Sequence, residues 1–261
     1  MGVGAVPELE QYEQQGGRGR NVSLVGGESS EGLVDPRPVL IVTGLVQEAR
    51  IAAGPGKAVI CSSSDPRQLR ALLTVFDPAT IRGVISFGVA GGLDPSLKSG
   101  DVVVATEVTA GDARWFAGLP VCEEQVANFA MGRIVRGGLA GVEEVVVAQS
   151  SKAALRSETG AAAVDMESHI AAAYAADAGL PFAALRVISD PASRALPALA
   201  RAAIKPNGDI DLRKILRGVV RNPRTLRALV STGIDFNRAL KSLRGCRSLL
   251  LGGQGLVAAN L

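Results

Sequence analysis

Three acids and one glycine-rich run stand where residues of their types could break a bond. Glu48 follows the short apolar run Val39 to Val42, across a break at Gly44. Glu167 lies within "AVDMESHIAAAYAADAG", with Asp165 before it and His169, the only histidine of the chain, after it. Asp190 ends the apolar run "FAALRVIS". Carboxylates so placed can act as general acid, as general base, or as acceptors for hydroxyl groups. Taken singly, each has a plainer explanation. Acids at helix N-termini are stabilised by about 0.3–1 kcal/mol, and Asp190-Pro191 has the form of a helix cap and first residue. The glycine run is Gly88-Val89-Ala90-Gly91-Gly92. It is neither a dinucleotide fingerprint nor a phosphate loop, since no Gly-Lys-Ser/Thr follows. As a loop after a strand it is either a tight turn or a place where backbone amides face a ligand.

The elements that would hold these residues are legible from hydrophobic spacing. "VLIV" is a short buried strand, and "LVQEARIAA" after Gly44 has helical spacing. "KAVICS" is a second strand, followed by "SSDPRQLRALLTVF", a helix with Asp65 as N-cap and Pro66 in its first turn. "RGVISFG" is a buried strand leading into the loop "GVAGGLDPSLKSGD", and "VVVATEV" is another strand. Between Gly111 and Ala148 the pattern gives little. The alanine-rich helix opened by Asp165 and Glu167, then the strand "FAALRVIS", complete the alternation. Strands with continuous apolar runs alternating with helices indicate an α/β protein with a largely buried sheet. In a parallel sheet the strand C-termini share one edge, so Glu48, Glu167 and Asp190 could meet around one cavity. His169 is two residues from Glu167, off its helix face, and is expected to be structural. Trp115 and Phe116 are expected to pack in the core.

Composition narrows the function classes. The chain has 261 residues, 47% of them hydrophobic, enough for a sizeable core. Aromatic residues make up 3%, too few for a platform that stacks nucleic-acid bases. Cys61, Cys122 and Cys246 are isolated, with no metal or redox spacing, and one histidine leaves little for a metal site or a Ser-His-Asp triad. No cofactor is expected. The absence of an apolar span or a secretory leader suits the cytoplasm. Residues 1–36, rich in Gly, Glu, Gln and Ser, read as a disordered tail. From Arg201 to Arg247 the chain carries twelve Lys or Arg against three Asp, while the remainder is net acidic. Arg213, Lys214, Arg217, Arg221 and Arg224 recur at helical spacing, which fits either a solvated face or contact with an anionic membrane.

Together, "FGVAGGLDPSLKSGDVVVA", "AVDMESHIAAAYA" and "LPFAALRVISDPA" resemble the nucleoside phosphorylase and nucleosidase superfamily, which includes purine nucleoside phosphorylases and methylthioadenosine/S-adenosylhomocysteine nucleosidases. The resemblance runs from about Val39 to Pro197 and is nearest to the hopanoid-associated branch, which acts on adenosylhopane. It implies a single-domain mixed sheet flanked by helices over residues 37–200. Residues 201–261 would be a basic helical extension on or beside that core, and the protein a homo-oligomer. It also implies roles. Asp190 would protonate the departing purine, with Ser189 beside it, and Glu48 would activate water. Val89, Ala90 and Gly91 would flank base and sugar, Met166 would pack on the ribose, and Glu167 would bind its hydroxyls.

The chain departs from the phosphorylase pattern at the phosphate clamp. Ser86-Phe87 stands where an arginine is expected, Val89 where a serine is expected, and Arg50 lies one turn too far along. With Glu48 retained, water is favoured as the nucleophile. The expectation is therefore a purine nucleosidase releasing adenine from adenosylhopane. A phosphate-dependent phosphorylase and a non-catalytic nucleoside-binding module remain as alternatives.

Overall fold

The computed structural model describes residues 35–118, 132–196 and 226–250. The N-terminal tail, all but its last two residues, falls outside this set, as do the basic positions from Arg213 to Arg224.

Eight strands are described: β1 (Val39–Thr43), β2 (Lys57–Cys61), β3 (Val84–Gly92), β4 (Val102–Ala110), β5 (Ala113–Phe116), β6 (Ile134–Gly141), β7 (Ala163–Asp165) and β8 (Phe182–Asp190). The α-helices are α1 (Val46–Ala52), α2 (Pro66–Thr74), α3 (Gln149–Thr159), α4 (Ser168–Asp177) and α5 (Leu226–Gly245). The sheet is mixed. β2, β1, β3 and β8 run parallel, whereas β4 is antiparallel to β8 and β7 is antiparallel to β3. Pairings of β3 with β7, β7 with β6, β6 with β4, β4 with β8 and β8 with β3 close those five strands into a ring.

Side chains along a strand alternate between faces, and both faces here are covered. Leu40, Val42, Val84 and Ala184 pack with Leu69 and Leu73 of α2 and with Ala171 and Ala175 of α4. Val39, Ile41, Ile85, Leu185 and Val187 pack on the other side with Ile51 of α1 and with Ala239, Leu240 and Leu243 of α5. Burial on both faces is why the strands read as continuous apolar runs. The alanines of α4 have the same origin. Ala171, Ala172 and Ala175 are buried, and the helix lies against β3, β4, β5, β6 and β8. Asp65 caps α2 through hydrogen bonds from Arg67 N and Gln68 N, with Pro66 opening the helix.

Four local expectations are corrected. The glycine run is the second half of β3, in register with β8, and not a loop. Gly88 explains the composition: a Cβ there would lie 2.6 Å from Arg186 Nη1 and 2.7 Å from Glu48 Oε1. Ala163–Asp165, expected as a helix start, is the strand β7, and α4 begins after it. Asp190 starts no helix among the described residues; Pro191 to Arg194 form a turn closed by Arg194 N donating to Pro191 O. In the stretch that gave little pattern, β5 pairs with β4, Trp115 packs against the core, and Phe116 is exposed, contrary to its expected burial. α5, from the C-terminal extension, is built into the core through Ala239 and Leu243. No helix among the described residues is long and apolar enough to cross a membrane.

Gly88→Ala is expected to destabilise the fold by about 1–3 kcal/mol, because its methyl would overpack two buried charged groups. Urea unfolding would show this as a lower midpoint with an unchanged slope.

Candidate active site

A cavity of about 300 Å³ opens where the C-terminal ends of β3 and β8 meet the segment between β7 and α4. Val89, Ala90, Gly91, Met166, Glu167, Ser189 and Asp190 all line it. Glu48 is not itself in the lining but adjoins it, accepting from the backbone N–H groups of the lining residues Leu45 and Val89. Glu167 reaches this edge by a route the sequence did not suggest. β7 meets β3 antiparallel at Gly91 and Gly92, so Asp165 and Glu167 approach from the opposite direction to Glu48 and Asp190.

Glu48 is almost fully buried. Its Oε2 accepts from Gly44 N at 2.8 Å and Leu45 N at 2.9 Å, and its Oε1 accepts from Val89 N at 2.8 Å. Two of these bonds cap the start of α1, as the helix-start reading expects. Burial raises its pKa above the ordinary carboxylate value, opposed by Arg186 and by the three backbone donors.

Arg186, inside the apolar strand β8, is fully buried. Its Nε lies 2.5 Å from Asp165 Oδ2, its Nη2 donates to Ser86 Oγ at 2.6 Å, and the same Nη2 is 3.5 Å from Glu167 Oε2. Asp165 also accepts from Ser168 N at 3.0 Å and from the Ser168 hydroxyl. Glu167 Oε1 accepts from Ser62 Oγ at 3.3 Å. Burial pushes Glu167 up to about 7; Arg186 opposes the shift, and Asp165 and Glu48 add to it.

The opposite end of the cavity belongs to Asp190, whose Oδ2 lies 2.5 Å from Lys152 Nζ of α3. The Ser189 hydroxyl is 2.8 Å from Asp190 Oδ1 and 3.2 Å from Ala90 O, and donates to one or the other. Burial raises the pKa of Asp190, and the Lys152 ammonium opposes it. Between the polar ends the wall is apolar: Leu45, Val142, Val145, Val146, Leu196 and, from α5, Leu229 and Phe236. Arg194 fixes α5 over this wall by pairing with Asp235. Among the described residues no group of three His, Cys, Asp or Glu could hold a metal ion.

Several of these residues went unnoticed in the sequence. Arg186 had a signal, since a charge within a buried apolar strand requires a partner. Lys152 and the α5 residues had none. His169 lies outside the cavity lining, its Nε2 at 2.9 Å from Glu143 Oε1. Arg50 is exposed on α1.

The model of the phosphorylase superfamily matches residues 24–218. The chain belongs to the phosphorylase superfamily. Among solved structures, it is similar to a 5′-methylthioadenosine/S-adenosylhomocysteine nucleosidase from Neisseria meningitidis in complex with methylthio-immucillin-A. That match has 17% identity and a TM-score of 0.60, covering 82% of this chain and 98% of the other. Futalosine hydrolase of Helicobacter pylori is also similar, at 19% identity and TM-score 0.58, covering 83% of this chain and 96% of that one. A Helicobacter pylori methylthioadenosine/S-adenosylhomocysteine nucleosidase gives 20% identity and 0.57, covering 83% and 97%. Among curated proteins no sequence matches. At these identities the neighbours establish the superfamily's fold, a mixed α/β single domain.

The raised acids tie stability to pH. With a folded pKa of about 7 against an ordinary value of 4.5, Glu167 binds its proton more tightly in the folded state. Its contribution is present at low pH and is lost as pH rises through about 7. Glu167→Gln is therefore expected to flatten the fall in melting temperature between about pH 5 and about pH 8. An unchanged fall would show that Glu167 titrates normally.

Proposed function

We propose that this protein hydrolyses the N-glycosidic bond of a purine nucleoside, using water as the nucleophile. The observation that carries this reading is the sign of the charge around Glu48. Glu48, Asp165 and Glu167 surround the guanidinium of Arg186, the one cation among the described residues at this place, and it is already bonded to Asp165 and Ser86. A phosphate dianion would meet three carboxyl groups there and, among the described residues, one cation already committed to partners of its own, whereas neutral water needs no counter-charge.

In the proposed reaction the nucleoside lies with its sugar at Glu167 and its base toward Asp190. Water attacks the anomeric carbon as the bond to the base nitrogen breaks, and the bonding electron pair leaves with the purine. Glu48 accepts a proton from the water, for which a carboxylate of raised pKa is the better base. Asp190 gives a proton to purine N7, and its raised pKa favours the protonated acid. Glu167 accepts hydrogen bonds from the ribose hydroxyls, Met166 packs on the sugar, and Val89, Ala90 and Gly91 form the floor. The negative surroundings also favour the positive charge that develops on the sugar in the transition state.

The 5′ substituent is proposed to be large and apolar. The wall of Val142, Val145, Val146, Leu229 and Phe236 offers hydrocarbon contact and few hydrogen-bond partners. Adenosylhopane, giving adenine and ribosylhopane, is the substrate that the sequence resemblance implies, and its lipid body would come from a membrane. Leu226, Val230 and Ile234 form an exposed stripe at four-residue spacing on α5, the helix that supplies Leu229 and Phe236 to the cavity. With the basic excess between Arg201 and Arg247, this supports docking on an anionic lipid surface from the cytoplasmic side. A homo-oligomer is proposed from the resemblance alone.

Adenine release from adenosylhopane, or from a soluble 5′-alkyl adenosine, is expected in phosphate-free buffer, with a free reducing sugar as the second product by mass spectrometry. Asp190→Asn should lower turnover about 10²–10⁴-fold. A sugar 1-phosphate formed only with added phosphate would establish a phosphorylase instead. The protein should also co-float with vesicles containing anionic lipid at low salt, less so at high salt, and Val230→Asp/Ile234→Asp should weaken this. Binding unaffected by both changes would remove the membrane role.

A further inference from the structure

Lys152 is a fully buried lysine on α3, outside the cavity lining, and directly behind Asp190. Its ammonium lies among four oxygens: Asp190 Oδ2 at 2.5 Å, Pro191 O at 3.1 Å, Arg194 O at 3.2 Å and Asp190 O at 3.3 Å. All four are acceptors, and an ammonium is a donor only, with three protons. Three main-chain carbonyls fix the position of the nitrogen. The carboxylate oxygen is its one ionisable partner. Asp190 is thereby divided into two functional halves, with Oδ2 against Lys152 and Oδ1 beside Ser189.

We propose that Lys152 is the positioning residue of the acid: it fixes Asp190 by one oxygen and takes up the negative charge left there when the proton passes to the departing base. The proposal rests on the hydrolytic reading above. Proton transfer from Oδ1–H to purine N7 converts a neutral acid into a carboxylate inside a buried site. Charge appearing in such a place is stabilised most by a group already oriented toward it. Lys152 needs no reorganisation at that moment, because the carbonyls of Pro191 and Arg194 hold it in place before substrate arrives. The other charged groups near Asp190 do not serve this purpose. Asp235 of α5 opposes ionisation of Asp190, and Arg194 is paired with Asp235.

The test compares Lys152→Met and Lys152→Arg with the wild-type protein on two substrates. Adenine leaves as a good leaving group only when protonated, whereas para-nitrophenol leaves as a stable anion. Lys152→Met should lower kcat for adenine release about 10²-fold and leave hydrolysis of a para-nitrophenyl riboside essentially unchanged. Lys152→Arg should restore part of the loss. Removing the cation should also make Asp190 hold its proton to higher pH, so the alkaline limb of the kcat profile should move up in Lys152→Met. A ¹³C NMR titration of the Asp190 carboxyl reads the same change without turnover. Equal losses on both substrates, or an unmoved Asp190 titration, would reduce Lys152 to a structural tie and overturn the proposal. If wild type cleaves neither substrate but the titration moves as expected, the hydrolytic reading fails while the Lys152–Asp190 coupling stands.

Discussion

The buried guanidinium of Arg186 is the constraint around which the cavity end of the molecule is arranged. An isolated charge in the interior of a sheet would cost many kcal/mol, and removing one partner from a buried pair typically costs about 3–5 kcal/mol. Here Asp165 lies in direct contact, Glu167 and Glu48 contribute from further out, and Ser86 and Ser168 fill the remaining polar positions. The five partners come from four parts of the chain: β3, the end of β7, the start of α4, and α1. One arginine therefore ties together the segments whose ends make the cavity. Gly88 follows from the same constraint, since the guanidinium and Glu48 occupy the space a side chain would need.

The network has a cost that bears on function. Burial raises the pKa values of Glu48 and Glu167 against the pull of Arg186, and for Glu167 the neighbouring Asp165 and Glu48 add to the rise. Glu167, pushed up to about 7, exchanges its proton near neutrality, and perturbed carboxylates at a cleft are a mark of functional sites. Asp190 sits in a different balance, in which burial and the Lys152 ammonium act in opposite directions. The cavity thus has two polar ends of different character, separated by an apolar wall to which α5 contributes. Such a division suits a ligand with a polar core and a hydrocarbon arm.

Much of this was legible from residue order. Most strands and helices followed from apolar spacing, and the cap of α2 followed from Asp65-Pro66. Of the positions the family resemblance singled out, all but Glu48 line the cavity, whereas its apolar wall was not singled out. The misreadings share a cause. The second half of β3 looked like a loop because glycine is a poor strand former, but its glycines are there to admit neighbouring side chains. β7 looked like a helix start because three residues are too few to show a period. Phe116 was assigned to the core by its chemistry, although it lies on the short strand β5.

What the sequence determined by itself was the α/β class, a sheet covered on both faces, and the acids at element boundaries, because these are local and periodic properties. The ring closed by β8 between β3 and β4, the antiparallel entry of β7, and the closure of the cavity by a helix from the C-terminal extension depended on the tertiary structure. So did the partners of Arg186 and Lys152. Residues 38 positions apart, such as Lys152 and Asp190, carry no mark of each other in the chain. Burial makes their pairing obligatory, because a charge removed from water must find an opposite charge or a set of dipoles, and only the packed structure decides which ones are within reach.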